Sequence, residues 1–202
     1  KIHLELAMRY APKHLIAVDP VEENLIWVRE KLGPKAEALG ITLYTITPEQ
    51  AEGQLERITS GTMGDDVIAA VGRQDVQNRA LSWAGFGGVV NLFGGLRKGE
   101  SVLDLDNISV HYNEVKVVGS SGGGPHDYKE TLEAIRKGEI ETGKYVAAVG
   151  SLENIVEVLQ LMESGAISGK AILYPQIDRA PLEFVRGWDK SKEQQYIHNH
   201  RK

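Results

Sequence analysis

The sequence predicts an α/β fold built on a doubly wound parallel sheet, and three observations carry that reading. Short apolar runs, HLIAV (14–18), VIAAV (67–71) and VVNLF (89–93), lack apolar–polar alternation, so each is read as a strand covered on both faces. Stretches with helical spacing lie between them, the order expected of strands joined by crossover helices. Three strand ends carry small residues, Val71-Gly72, Phe93-Gly94-Gly95 and Gly119-Ser120, where the chain can turn at one edge of a sheet.

Composition narrows the function classes. The 202 residues suffice for one large domain, or for one domain with a short appendage. A net charge of −5 and a pI near 5.7 argue against a nucleic-acid or anionic-membrane partner, which would require clustered Lys and Arg. No apolar run approaches the ~20 residues of a spanning helix, and no secretory signal is visible, so a soluble, cytoplasmic protein is expected. With no cysteine, disulfides and thiolate metal sites are excluded.

Taken in order, Lys1–Ala11 fits either period, but its Leu, Glu, Ala and Met content favours a helix, ended by Pro12. HLIAV then forms a strand that exits at Asp19-Pro20. Glu22–Leu32 is helical, Gly33-Pro34 breaks it, and a second helical stretch runs to Leu39. Ile41–Thr47 is β-branched and strand-like, and Thr47-Pro48 opens a helix as cap and first residue. After the strand at 67–71 comes a helix from about Asp75 to Ala84, then the strand at 89–93. Ile108–Tyr112 and Val115–Gly119 are the next two strand candidates, and a helix runs from Asp127 to about Lys137. Ser151 caps an amphipathic helix with Leu152, Ile155, Val156, Leu159 and Met162 on one face. Lys170–Leu173 is the last strand expected, and from about Ser191 the polar tail is expected to be loose.

Asp19 is the residue that points to a ligand. In dinucleotide-binding folds of the Rossmann type the second strand ends in an acid whose oxygens accept from the ribose hydroxyls, ~20 residues after a glycine fingerprint. Counting back from Asp19 places that fingerprint just before Lys1. The fold is therefore expected to be Rossmann-like but lacking its first strand and glycine loop. The bland alternative is an Asp that caps the turn before Pro20. A 2′-phosphate would be repelled by this carboxylate, and Pro20, Val21, Glu22 and Glu23 supply no cation, so NAD is favoured over NADP.

The other candidates are weaker. Ser120–Gly124 before a helix reads as either a phosphate cradle or a plain strand-to-helix turn. Arg73 is placed equally well over an adenine or in solvent. The six histidines form no catalytic set, with His111 near a strand end the one candidate for a pocket.

Together, HLIAVDP (14–20), DDVIAAVGRQD (65–75), GGVVNLFGGL (87–96), VKVVGSSGG (115–123) and GKAILYP (169–175) resemble the cofactor domain of the medium-chain, zinc-type alcohol dehydrogenase family. GITLYTIT (40–47), NISVHYNEVKVVGSSGG (107–123) and DYKETLEAIRKGEI (127–140) look closest to its sorbose-1-phosphate reductase, or polyol dehydrogenase, branch. The resemblance implies an incomplete dinucleotide-binding domain over 1–175. It also implies a C-terminal segment, 176–202, that returns toward a catalytic domain outside these residues. Asp19 would bind the adenosine ribose with Asn24 beside it. Val71, Gly72 and Arg73 would line the adenine side. Phe93 and Gly94, with Val118 and Gly119, would present backbone to the nicotinamide. The resemblance further implies a catalytic zinc held by Cys, His and Glu elsewhere, so that no catalytic or metal-binding residue is expected in this chain. It implies an alcohol or ketone substrate, and the branch resemblance implies a sugar phosphate among these. It also implies a homodimer or homotetramer that uses the sheet edge at 115–119.

Two other classes compete with an NAD-dependent dehydrogenase. A Rossmann-like methyltransferase also uses an acid after its second strand, but would end in an antiparallel strand pair that this sequence does not suggest. A non-catalytic nucleotide-binding or assembly module is the third reading.

Overall fold

The computed structural model describes residues 1–201, which fall into two compact units, the first ending at Lys129. The first unit opens with α1 (Ile2–Ala7), extended by a 3-10 turn over Met8–Tyr10, in agreement with the helical reading. β1 (His14–Val18) follows, then α2 (Glu22–Ala38) and β2 (Thr42–Ile46), which pairs parallel to β1 from His14↔Thr42 to Val18↔Ile46. α3 (Ala51–Thr59), β3 (Gly64–Ala69), α4 (Gln74–Ser82), β4 (Ala84–Leu92), α5 (Asn107–His111) and β5 (Lys116–Gly119) complete it. β3, β4 and β5 form a parallel ladder in that order. The fold is mixed α/β with parallel sheets and is Rossmann-like.

Three expectations fail in this unit: the helix after β2 starts at Ala51 with Gln50 at its cap rather than at Thr47-Pro48, and two others fail for identifiable reasons. α2 is one helix that carries Pro34 inside it, although proline removes a donor and crowds the preceding turn. Leu25, Val28, Leu32 and Ala36 fall on one buried stripe, and the stripe runs unbroken past the proline. Burial of that stripe against Met8, Ala17 and Ile41 decides the matter. Residues 108–112 are not a strand either: Asp106 accepts from the Ile108 N–H at 3.0 Å and caps α5. The cap supplies a local hydrogen bond that β-branched Ile108 and Val110 cannot override. His111 therefore ends a helix, with its ring edge-on to Tyr112 at 4.7 Å, rather than lying near a strand end.

α1 is tied to α2 by an ion pair in which Lys35 Nζ lies 3.0 Å from Oε1 of the fully buried Glu5. A charge so placed is tolerated only with a partner.

α6 (Pro125–Arg136) contains the boundary between the units. The second unit is built around β6 (Val146–Ser151), with β7 (Lys170–Tyr174) parallel on one side and β8 (Glu183–Phe184) antiparallel on the other. β6 and β8 were not legible in the sequence, and their antiparallel pairing is one it did not suggest. A 3-10 turn at Leu152–Asn154 leads into α7 (Ile155–Glu163), and Asn154 Oδ1 accepts from the Ser151 N–H at 2.9 Å. The tail expected to be loose is α8 (Lys190–His200), which buries Tyr196 among Val149, Tyr174 and Ile177. One aromatic residue anchors an otherwise polar helix.

Candidate functional site

Asp19 lies at the carboxyl end of β1, where its N–H still donates to Ile46 O at 3.3 Å. Its side chain is half-buried. Oδ1 accepts from the Val21 N–H at 2.9 Å and from Asn24 Nδ2 at 3.1 Å, while Oδ2 is 3.2 Å from the same amide. The turn-cap reading and the ligand reading are thus both satisfied by one carboxylate. Oδ1 closes the turn, and Oδ2 keeps acceptor capacity for a hydroxyl. Asn24, one turn into α2, holds the carboxylate plane.

The remaining sequence-predicted residues gather at the ends of the second ladder. The register aligns Ala69 with Leu92 and Leu92 with Gly119, so β3, β4 and β5 finish level. Val71, Gly72 and Arg73 follow β3, Phe93 and Gly94 follow β4, and Val118 and Gly119 close β5. In an open parallel sheet this carboxyl edge is where ligands lie.

Two turns here meet backbone to backbone. A Cβ on Gly72 would sit 2.2 Å from Gly95 O, and one on Gly94 would sit 2.1 Å from the Val71 carbonyl carbon. Only glycine permits that approach. Behind the turns lies Gln77 of α4, at 2% exposure. Its Nε2 donates to Val71 O at 3.2 Å and to Gly94 O at 2.5 Å. Sequence reasoning missed Gln77; its one signal was an amide three and four residues before Ala80 and Leu81, on the buried face of α4.

α1 connects the two groups. The His3 ring packs edge-on against Phe93 with centroids 4.4 Å apart, and burial lowers its pKa from the usual histidine value. Lys1 feels the Asp19 carboxylate, which opposes the larger lowering of its pKa by burial. His3 was assigned only to the opening helix by the sequence.

Arg73 is committed to a neighbour. Its Nε and Nη2 donate to the two oxygens of Asp75 at 3.0 and 2.7 Å, both side chains remaining largely exposed. In the Ser120–Gly124 turn the Gly124 N–H already donates to Asp127 Oδ2 at 2.6 Å, so the chain's own carboxylate occupies an N–H that a phosphate cradle would use.

Comparison with known proteins identifies the fold's relatives. The family model described as zinc-binding dehydrogenase matches residues 7–137. The chain belongs to the zinc-binding dehydrogenase family. Within that family the matched region is the cofactor-binding domain, which disposes of the methyltransferase alternative. A mannitol-1-phosphate 5-dehydrogenase from Aliivibrio fischeri is 29% identical over 188 residues, covering 91% of this chain and 44% of that protein. The alcohol dehydrogenase of Aeropyrum pernix superposes with a TM-score of 0.69 at 24% identity, over 86% of this chain and 46% of that one. Benzyl alcohol dehydrogenase from Acinetobacter calcoaceticus gives 0.67 at 19%, over 84% and 45%. The chain thus spans less than half the length of each of these relatives.

The two groups implied by the family fit this chain differently. A dinucleotide fits: Asp19 offers an acceptor at one strand end, and space is open beside Gly95 and Gly119, where an added Cβ would meet nothing within 4 Å. The Cys-, His- and Glu-held zinc that the resemblance implies finds no cysteine ligand among these residues.

Proposed function

We propose that this chain is the NAD-binding part of a cytoplasmic zinc-type alcohol or polyol dehydrogenase. The observation that carries the proposal is the half-buried Asp19 carboxylate, held by Asn24 at a parallel strand end with acceptor capacity on Oδ2. Asp19 accepts from the adenosine ribose hydroxyls. Val71, Gly72 and Arg73 line the adenine side, with Arg73 kept in place by Asp75. Phe93, Gly94, Val118 and Gly119 form a backbone shelf for the nicotinamide. When bound, the nicotinamide supplies the hydride acceptor and donor. The chain's own residues bind and orient it. NAD is preferred to NADP because a 2′-phosphate would meet the Asp19 charge.

The substrate proposed is a secondary alcohol or ketone, and a sugar phosphate in particular. The mannitol-1-phosphate 5-dehydrogenase relative supports that choice. The protein is further proposed to be a homodimer or homotetramer joined at the outer edge of β5, whose four residues are all exposed.

Titration calorimetry of the full-length polypeptide tests the cofactor reading. NAD is expected to bind more tightly than NADP, and Asp19→Ala to weaken NAD by about 1–3 kcal/mol through loss of charged hydrogen bonds. Unchanged NAD affinity in the variant would remove the ribose assignment. Comparing D-mannitol 1-phosphate with mannitol as hydride donors tests the substrate class.

A further inference from the structure

We propose that Gln77 is a positioning residue that sets the spacing of the β3 and β4 turns, and through it the grip on the dinucleotide. The inference rests on the reading that these turns meet the cofactor. The β3–β4 ladder ends at Ala69↔Leu92, and the Gly94 N–H reaches back to Ala69 O at 2.9 Å. Beyond that bond the turns have no ladder to hold them. Gln77 takes over there: the two hydrogens of one amide nitrogen go to Val71 O and Gly94 O, one from each turn. Its own backbone is fixed in the first turns of α4, where its N–H donates to Arg73 O at 3.1 Å.

Few side chains could do this. The donor must be neutral: a carboxylate has no hydrogen for the two carbonyl oxygens, and an ammonium would be a buried charge without a counter-charge. It must carry two hydrogens on one atom and reach from the helix past Gly72 and Gly94, whose backbones already stand at closest approach. An apolar residue would suit the neighbouring Ala80 and Leu81 but leave two carbonyls without that donor. The carbonyls belong to Val71, on the adenine side, and Gly94, on the nicotinamide side. A change in their separation therefore alters the span that one dinucleotide has to bridge.

The test uses Gln77→Met and Gln77→Glu in the full-length polypeptide, with NADH as the probe in a fluorescence titration and the unfolding midpoint measured alongside. Gln77→Met keeps the side-chain volume, so its midpoint should stay within a few degrees of the parent's while the NADH dissociation constant rises about tenfold. Gln77→Glu should bind NADH poorly at about pH 8 and recover toward the parent as the pH falls, because the protonated carboxyl regains one donor. A purely structural role would lower the midpoint and leave NADH affinity alone, and that result overturns the inference. If the parent binds NADH and both variants bind it equally well at every pH, the inference falls and the dinucleotide reading stands. If the parent itself does not bind NADH, both fall.

Discussion

Gly94 and Gly119 end adjacent strands and look alike in the sequence, yet their surroundings oppose one another. A Cβ on Gly94 would lie 2.1 Å from the Val71 carbonyl carbon and 2.6 Å from the Gly72 nitrogen, both backbone atoms that cannot swing aside. Gly94→Ala is therefore expected to destabilise the first unit by about 1–3 kcal/mol, measurable by urea unfolding. At Gly119 nothing stands within 4 Å, so Gly119→Val should leave stability within about 0.5 kcal/mol of the parent. On the proposed function the new side chain would occupy the nicotinamide shelf, and NADH titration should show binding lost while the protein remains folded. Unimpaired NADH binding by that variant would count against Gly119 as shelf. The sequence showed both glycines at turns. It could not show that one faces backbone and the other open space, because that depends on how two strands far apart in the chain are aligned.

At the scale of elements, α8 shows how a few aromatic contacts fix a polar segment. Tyr174 of β7 donates from its hydroxyl to Glu193 Oε1 at 2.8 Å and accepts from Trp188 Nε1 at 2.8 Å. Burial, and then the Glu193 carboxylate, push its pKa up to about 12. An unfolded phenol titrates near 10, so the folded protein holds this proton where the unfolded chain has released it. The contribution to stability is present below about pH 10 and is lost as pH rises toward 12. Circular dichroism melts should show the parent's midpoint falling more steeply across that interval than the midpoint of Tyr174→Phe, which starts lower and lacks this titration. Parallel curves would remove Tyr174 as the origin. The expected loose tail was wrong because a helix with polar residues on most sides has almost no periodic signal. A single buried position, Tyr196, is enough to dock it.

For the whole molecule, the exposed outer edge of β5 bears on assembly. Lys116, Val117, Val118 and Gly119 pair with β4 on one side, and all four are exposed. An edge of unpaired N–H and C=O groups is a template for a second copy, and a lysine side chain on it is a means of discouraging one. On the proposed assembly, Val117→Lys shifts the full-length protein toward monomer in light scattering and leaves its far-ultraviolet circular dichroism unchanged. An unaltered mass would place the assembly surface elsewhere. No helix among the described residues is long and apolar enough to cross a membrane.

Local patterns alone gave the α/β class, the existence of the strands that lie at His14–Val18, Gly64–Ala69 and Lys116–Gly119, and Asp19 with the three turns as candidate ligand contacts. An apolar run bounded by small residues is a local signal, and it marked these strands although Ile68 of β3 and all four residues of β5 remain exposed. Long-range packing and capping were needed to show that α2 passes Pro34, that 107–111 is a helix, and that β6 is the central strand of the second unit. Each outcome depends on what covers a segment or caps it, and the covering groups come from distant parts of the chain. The same reason explains Gln77. Its type and position in α4 are visible in the sequence, but the two carbonyls it serves, at Val71 and Gly94, come together only when β3 and β4 lie side by side.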